Sequence, residues 1–258
     1  MRWSDLEPEA GIVNALQHAG VRPEDAGQNE KRHWSESFAD GCAIAIADEF
    51  RRSAVRTRRI LPKNLSSGTE PLTPLGSGTK KRIDVTVANP VLGLEIGVSL
   101  KGFNFRDRNS RNFDKNLTGR LYELADEVRL VHEHLPHAFM VAVLFLPLDA
   151  AKDKGGRAMS SFAHTVVKLR ERTGRLDASL PGHAPRCDAA FVGLYTIGDE
   201  EEAYPAGLVR LLDVTRPPPR RGRPRVEDTL SLREVVGDIV VKATFQSAVV
   251  WSDPEEDD

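Results

Sequence analysis

Apolar residues recur at helical spacing in four segments of the chain. In residues 33–52 and 117–135 they return every three or four positions, which places them on one face of a helix. Residues 158–174 have the same period and end at a glycine, a common helix stop. Residues 6–20 form a shorter helical segment within a polar lead-in. The pattern therefore predicts three main helices and one short N-terminal helix.

Between these helices the apolar residues follow strand-like patterns. Residues 82–87 and 94–101 alternate between apolar and polar side chains. Residues 138–148 are a continuous apolar run of strand length, typical of a central strand covered on both faces. Residues 61–81 are rich in Pro, Gly, Ser and Thr and are predicted to form a loop. The remaining predicted elements are two strands and a final helix–strand pair, at residues 187–197, 207–214 and 228–246.

The order of these elements predicts an α/β fold in which helices flank a mixed central sheet on both faces. The predicted organisation has three segments. Residues 1–32 form a helical lead-in and residues 33–215 form the core. Residues 216–258 contain an arginine- and proline-rich loop, the last helix–strand pair and an acidic tail.

Composition narrows the class of protein. The chain of 258 residues is 40% hydrophobic and 29% charged, which suits one globular domain with additions. No apolar run reaches about 18 residues and the N-terminus is charged, so neither a membrane span nor a signal peptide is expected. Cys42 and Cys187 form neither a disulfide framework nor a zinc motif, and we expect both to be small buried residues. We therefore expect a protein of the reducing bacterial cytoplasm.

Charge is distributed unevenly although the net charge is only −2. Residues 51–63 and 216–225 carry several arginines and no acid, whereas acids collect near residue 200 and in the tail. Such segregation predicts a basic face that can attract a polyanion. Residues 220–225, "RRGRPR", also resemble the core of an AT-hook, which lies in the minor groove of A·T-rich DNA.

The polar faces of the two alternating strands carry the candidate chemistry. Asp84 lies on the first strand, while Glu95, Ser99 and Lys101 share one face of the second. Residues 88–93, "ANPVLG", form a connection of suitable length for antiparallel pairing. An acid on one strand, followed across a short turn by an acid and a lysine, resembles the PD-(D/E)XK, or restriction-endonuclease-like, nucleases. The resemblance covers roughly residues 33–215.

The resemblance implies a restriction-endonuclease-like sheet and a magnesium-dependent site. In the family, an Asp and a (D/E)-x-K motif on neighbouring strands hold Mg²⁺ against the scissile phosphate, and the lysine positions or activates water. This chain departs from the motif, because Glu95 is followed two residues later by Gly97 and Lys101 is preceded by Ser99. Glu95 and Lys101 are six residues apart, about 20 Å along a strand, which is too far for one compact site.

Two strand registers remain open. With a tight turn at Asn89–Pro90, Asp84 lies opposite Glu95 and the site lacks its lysine. With a wider loop, Asp84 lies opposite Ser99, and Ser99-x-Lys101 occupies the motif position. Some family members have this S-x-K version and take a glutamate from the following helix. We favour the second register.

Two glutamates of the helix at residues 117–135 can supply the missing acid. Glu123 and Glu127 both flank its apolar stripe, with Glu127 closer to the sheet. Glu36 and Glu49, on the earlier helix, are secondary candidates, although the helix dipole and pairing with arginine explain them equally well. The catalytic candidates are thus Asp84, Lys101, Glu127, Glu123, Glu95 and Ser99. The metal-ligand candidates are Asp84, Glu127 and Glu95.

Basic and polar residues after the second strand are candidates for DNA contacts. Together with the arginines of the AT-hook-like segment they are Asn104, Arg106, Arg108, Arg111, Lys115, Arg221, Arg223 and Arg225.

The function expected from the resemblance is a Mg²⁺-dependent endonuclease of type II restriction character that cuts double-stranded DNA in bacterial defence, with Mn²⁺ able to substitute. The resemblance also implies a homodimer, because two-fold symmetry suits the cutting of both strands. Two alternatives remain. One is a DNA-binding module of the same fold without catalysis, and the other is a nuclease of repair or recombination.

Overall fold

The computed structural model describes residues 2–65, 72–76, 78–155, 158–174, 185–198 and 204–246. Within these ranges a six-stranded sheet has the order β1–β4–β5–β6–β7–β8, and β2 and β3 form a separate hairpin. The strands are β1 Arg59–Leu61, β2 Leu72–Gly76, β3 Thr79–Arg82, β4 Val85–Asn89, β5 Gly93–Gly102, β6 Phe139–Pro147, β7 Ala189–Tyr195 and β8 Val209–Asp213. The helices are α1 Ala10–Ala19, α2 Gln28–Arg51, α3 Leu117–His134, α4 Ser161–Arg170 and α5 Leu232–Gln246.

Strand direction follows from the connections. A short turn joins the antiparallel neighbours β4 and β5, whereas β5–β6 and β6–β7 are parallel pairs joined through α3 and α4 respectively. The outer pairs β1–β4 and β7–β8 are antiparallel. The sheet is therefore mixed, as predicted.

The sheet separates two apolar cores. One core joins its first face to α1, α2 and α5, and the other joins the opposite face to α3 and α4. All nine residues of β6 are buried, which confirms the prediction of a central strand covered on both faces. The predicted stripe of α2 is also buried, at Trp34, Phe38, Cys42 and Ala45. Helices thus cover both faces of an α/β fold.

Two predicted elements differ from the structure. Residues 61–81 are not a single loop, because β2 and β3 pair within them; residues 66–71 and 77 lie outside the described ranges. Residues 232–246 form one helix rather than a helix and a strand. The β-branched run there suggested a strand, but its buried side chains recur at helical spacing and pack on the first core.

The segments predicted as separate share these cores. Buried residues of α1 and α5 belong to the same core as α2, and the boundary drawn at residue 32 falls inside α2. Both cysteines are buried, which raises the pKa of each thiol. In the described part of the chain, no helix combines the length and apolar character needed to span a membrane.

Candidate active site

The register of β4 and β5 brings Asp84 beside Ser99. Val85, the first residue of β4, pairs with Val98, so Asp84, which immediately precedes β4, lies opposite Ser99 of β5. The backbone N–H of Leu100 donates to Asp84 Oδ2 at 2.6 Å. The favoured register is therefore confirmed.

The register arises from a β-bulge rather than from a wide loop. Asn89 pairs with Gly93, so only residues 90–92 lie outside the ladder, and the pairing then shifts by one residue at Glu95. This shift also sends Leu94 to the core of α3 and α4, while Ile96 faces the core of α2. The predicted alternation over residues 94–101 would place Leu94 and Ile96 on one face; this expectation was wrong, because strict alternation does not survive a bulge.

Glu127 reaches the same place from α3. Its carboxylate accepts a hydrogen bond from Ser99 Oγ at 3.1 Å, and Lys101 Nζ lies 3.7 Å from Glu127 Oε2. Only 5% of Glu127 is exposed, so the carboxylate depends on these partners to offset its lost hydration. The structure thus brings Asp84, Ser99, Lys101 and Glu127 together at one end of the β4–β5 pair, where β4 begins and β5 approaches its C-terminus.

The other candidate acids lie elsewhere. Glu95 binds Arg58 at 2.6 Å and is four residues, about 13 Å of strand, from Ser99. Glu123 points to solvent and pairs with Arg120 at 2.8 Å. Glu36 pairs with Arg32, and the mostly buried Glu49 pairs with Arg52 and Arg233. Each of these carboxylates has an arginine partner, and none shares the contacts of Glu127.

Two of the gathered residues, Asp84 and Lys101, border an open cleft of about 1160 Å³, whereas Ser99 and Glu127 are buried behind them and are not among its lining residues. Asp84 and Lys101 line it, together with the N-terminal half of α2 and the segment that follows β5. Among its lining residues eight are Lys or Arg and four are Asp or Glu, so the cleft carries a net positive charge. The basic members are Lys31, Arg32, Arg82, Lys101, Arg106, Arg108, Lys115 and Arg120.

The predicted DNA contacts after β5 fall into two groups. Arg106, Arg108 and Lys115 line the cleft, whereas the exposed Arg111 is not among the lining residues. Arg106 pairs with Asp149 at 3.3 Å and lies over the ring of Phe113, and Lys115 pairs with Asp107. The Lys115 ammonium and the backbone N–H of Ser110 lower the pKa of Asp107.

The AT-hook-like segment is fixed to the body of the protein. Gly222 N–H donates to Ala151 O at 2.7 Å, and Trp3 Nε1 donates to Pro224 O at 3.0 Å. Arg223 contacts the hydroxyl and ring of Tyr204, Arg225 lies near Glu227 and Asp228, and Arg221 is exposed. The prediction of an ordered loop rather than a tail is therefore confirmed.

The donor set suits a magnesium site of two protein carboxylates. Mg²⁺ accepts hard oxygen ligands and is usually held by one or two carboxylates with water and phosphate oxygens. Asp84, which lines the cleft, and Glu127, which contacts Ser99 and Lys101 behind it, are carboxylates of this kind. The described residues include no group of three His, Cys, Asp or Glu side chains placed to hold a metal. Further ligands would therefore be water or substrate.

Sequence reasoning missed one polar pair in this region. Asn104, which lines the cleft, accepts a hydrogen bond on Oδ1 from the Tyr195 hydroxyl at 2.9 Å. These residues are 91 positions apart and nothing in their local sequence links them.

Comparisons with family models, curated proteins and solved structures find no match to this chain.

Proposed function

We propose that the protein is a Mg²⁺-dependent nuclease that hydrolyses phosphodiester bonds of double-stranded DNA. The observation that supports this most is the contact of Glu127 with both Ser99 and Lys101, beside Asp84. Glu127 supplies a second carboxylate, which the Ser99-x-Lys101 motif lacks because a serine stands at its acidic position. The resemblance to the PD-(D/E)XK nucleases suggests the reaction class. The contacts among Asp84, Ser99, Lys101 and Glu127 support a site for that reaction.

Each side chain of the site has a role in this proposal. Asp84 and Glu127 would hold the metal ion, and Ser99 orients Glu127 by its hydrogen bond. Bound Mg²⁺ would neutralise charge on the phosphate and lower the pKa of the attacking water. Lys101 places its ammonium group beside the attacking water. Without the ion, the same ammonium partly neutralises the buried carboxylate of Glu127.

The cleft supports a polyanionic substrate. Basic residues outnumber acids two to one along its lining, although the chain as a whole is slightly acidic. Positive potential concentrated in a cleft attracts phosphates at long range and positions the backbone. Double-stranded DNA is the substrate we propose, and recognition of both strands would involve two copies of the chain.

The first prediction compares two glutamates of the same helix. Glu127→Gln should reduce cleavage of supercoiled plasmid in Mg²⁺ by roughly 100-fold or more, because it removes a metal-binding charge. Glu123→Gln, one turn away and exposed, should cleave like the wild type. Gel electrophoresis over time measures cleavage, and circular dichroism checks that both variants fold. Wild-type activity in Glu127→Gln would contradict the site.

A DNA-binding module without catalysis is the second candidate. This candidate is favoured by the ion pair between Lys101 and Glu127. In that pair, the ammonium group expected to position the water and the carboxylate expected to bind the metal partly neutralise each other. Under this alternative the wild type retards duplex DNA in a gel but leaves plasmid, nicked and branched substrates uncut in Mg²⁺ and Mn²⁺. Cleavage confined to nicked or branched DNA would instead favour a repair nuclease.

A further inference from the structure

Asn104 keeps a buried hydrogen-bond donor without a partner at the wall of the cleft. Only 3% of the residue is exposed, and Nδ2 makes no hydrogen bond within the described structure. An unpaired buried donor loses its hydrogen bonds to water and gains none in return, so most such donors are satisfied in folded proteins. The cost is explained if a ligand supplies the missing acceptor.

The surroundings hold the amide in one orientation. Tyr195, fully buried at the end of β7, donates its hydroxyl hydrogen to Asn104 Oδ1, which leaves Nδ2 on the other side of the amide group. Phe38 of α2 packs on the Tyr195 ring with centroids 4.6 Å apart. Three elements, α2, β5 and β7, therefore fix where the donor lies.

Gly102 leaves room for the amide at the cleft. A Cβ atom at this position would lie 2.8 Å from Asn104 Nδ2, closer than such contacts allow. Gly102 and Asn104 both line the cleft, and Lys101 immediately precedes them. Three residues of extended chain span about 10 Å, so Asn104 lies within reach of a phosphate neighbouring the one at Lys101.

We infer that Asn104 Nδ2 donates a hydrogen bond to a phosphate oxygen of the bound nucleic-acid strand, next to the scissile phosphate. This inference rests on the proposed function, because it assumes that the cleft binds DNA. Asn104 is a neutral binding residue, and Tyr195 is the residue that positions it. The contact is with the backbone and therefore fixes the position of the strand without reading its sequence.

The test measures duplex binding without cleavage. Fluorescence anisotropy with a labelled duplex in EDTA gives the affinity at several salt concentrations. The double variant Asn104→Leu/Tyr195→Phe removes both the Asn104 amide and the Tyr195 hydroxyl that positions it. Neither group is therefore left buried without the other. The double variant should unfold at the same temperature as the wild type or higher, yet bind the duplex roughly tenfold more weakly. Tyr195→Phe alone should weaken binding less.

Salt dependence separates a lost contact from a disturbed cleft. Asn104 is neutral and releases no counterion, so the double variant should show the wild-type slope of log affinity against log salt. Thr165→Val is the control and should bind normally, because it removes a buried α4 hydroxyl that has no hydrogen-bond partner among the described residues and that does not line the cleft.

If the wild type binds the duplex and the double variant binds it with the same affinity, the inference is overturned. A double variant with a different slope of log affinity against log salt would overturn it as well. A wild type that binds no duplex even at low salt would instead overturn the proposed function on which the inference rests.

Discussion

Two buried carboxylates show how single residues control this region. Glu127 is satisfied by Ser99 and Lys101 at the site, whereas Asp114 is satisfied by Lys154 and His164 behind it. Both carboxylates are more than nine-tenths buried, and burial of an ionised group is tolerated only with such partners. Asp114 thereby ties the segment after β5 to α4 and holds one wall of the cleft.

Asp114 makes stability depend on acid pH. Burial alone would raise its pKa, but hydrogen bonds from Lys154, His164 and Ser161 together hold the pKa below its usual 3.8. A lowered pKa stabilises the fold above pH 3.8, and this contribution is lost as pH falls through the lower folded value. Asp114→Asn should therefore reduce the free energy of unfolding by about 1–3 kcal/mol at pH 7.

Urea denaturation at a series of pH values checks this prediction. The deficit of Asp114→Asn should shrink as the pH approaches 3, while Glu171→Gln, which breaks an exposed pair with Lys168, should stay within about 0.5 kcal/mol of the wild type throughout. A deficit that does not change with pH would show that the charge of Asp114 is not the cause.

The position of Glu127 at the sheet was predictable from sequence, and Asn104 was already a candidate DNA contact, but the contact of Asn104 with Tyr195 was not predictable. On a helical wheel Glu127 falls nearer the buried stripe of α3 than Glu123, and this difference places it at the sheet. The contact of Asn104 with Tyr195 joins the ends of β5 and β7, and depends on the order of strands in the sheet. Periodicity along the chain contains no information on that contact.

At the scale of elements, α1 and α2 touch through glycine. A Cβ at Gly41 would lie 2.5 Å from the Cα of Ala15, and one at Gly11 would lie 2.6 Å from Ala45 Cβ. The helices can approach this closely only because both positions lack a side chain. Since α2 also lines the cleft, this contact supports the wall that carries Lys31 and Arg32.

Two glycines within helices should respond oppositely to alanine. Gly41→Ala should destabilise the protein by about 1–3 kcal/mol, because the methyl group meets the backbone of α1. Gly119→Ala in α3 meets nothing within 4 Å and should stabilise by up to about 1 kcal/mol through helix propensity. Thermal unfolding followed by circular dichroism measures both. A gain in stability for Gly41→Ala would rule out the close approach of the two helices.

Elements with a clear local period were predictable, and those set by distant contacts were not. The stripe of α2, the run of β6 and the period of α3 were found because burial repeats along one segment. The bulge at Glu95 and the hairpin of β2 and β3 depend on pairing between strands. Residues 232–246 are a further example of a structure set by distant contacts. Their β-branched side chains suit a strand as well as a helix, and packing on the first core selects the helix.

At the scale of the whole molecule, the charge of the cleft differs from that of the chain, while the acidic clusters near residue 200 and in the tail lie mainly outside the described residues. The net charge is −2, yet basic residues outnumber acids two to one along the cleft. The sequence predicted that basic residues are segregated into a basic face, but the run at residues 51–63 suggested a different location for that face. Arg51, Arg52 and Arg58 of that run bind acids or backbone carbonyls, while the cleft takes its charge from α2 and the segment after β5.

Arg108 offers the simplest test of this difference in charge. It is exposed and lines the cleft, so Arg108→Ala should weaken duplex binding and reduce the slope of log affinity against log salt by about 0.9. Arg129→Ala, on the exposed face of α3, should leave both quantities unchanged. Anisotropy titrations from low to moderate salt measure the slope. Equal effects of the two variants would indicate diffuse attraction instead of a cleft.

The bulge at Glu95 makes the tolerance to insertions and deletions uneven along one hairpin. Residues 90–92 lie outside the ladder, so a change in their number alters the loop and leaves the pairing of Val85 with Val98 intact. Deletion of Glu95 itself would also keep that pairing, because Glu95 is the unpaired residue of the bulge. Pairing of Glu95 within the ladder at unchanged chain length would instead move Asp84 opposite Val98 and turn Ser99 and Lys101 to the other face. Related chains could therefore vary in the spacing between Asp84 and Lys101 through the loop, while the residue count between bulge and lysine stays fixed.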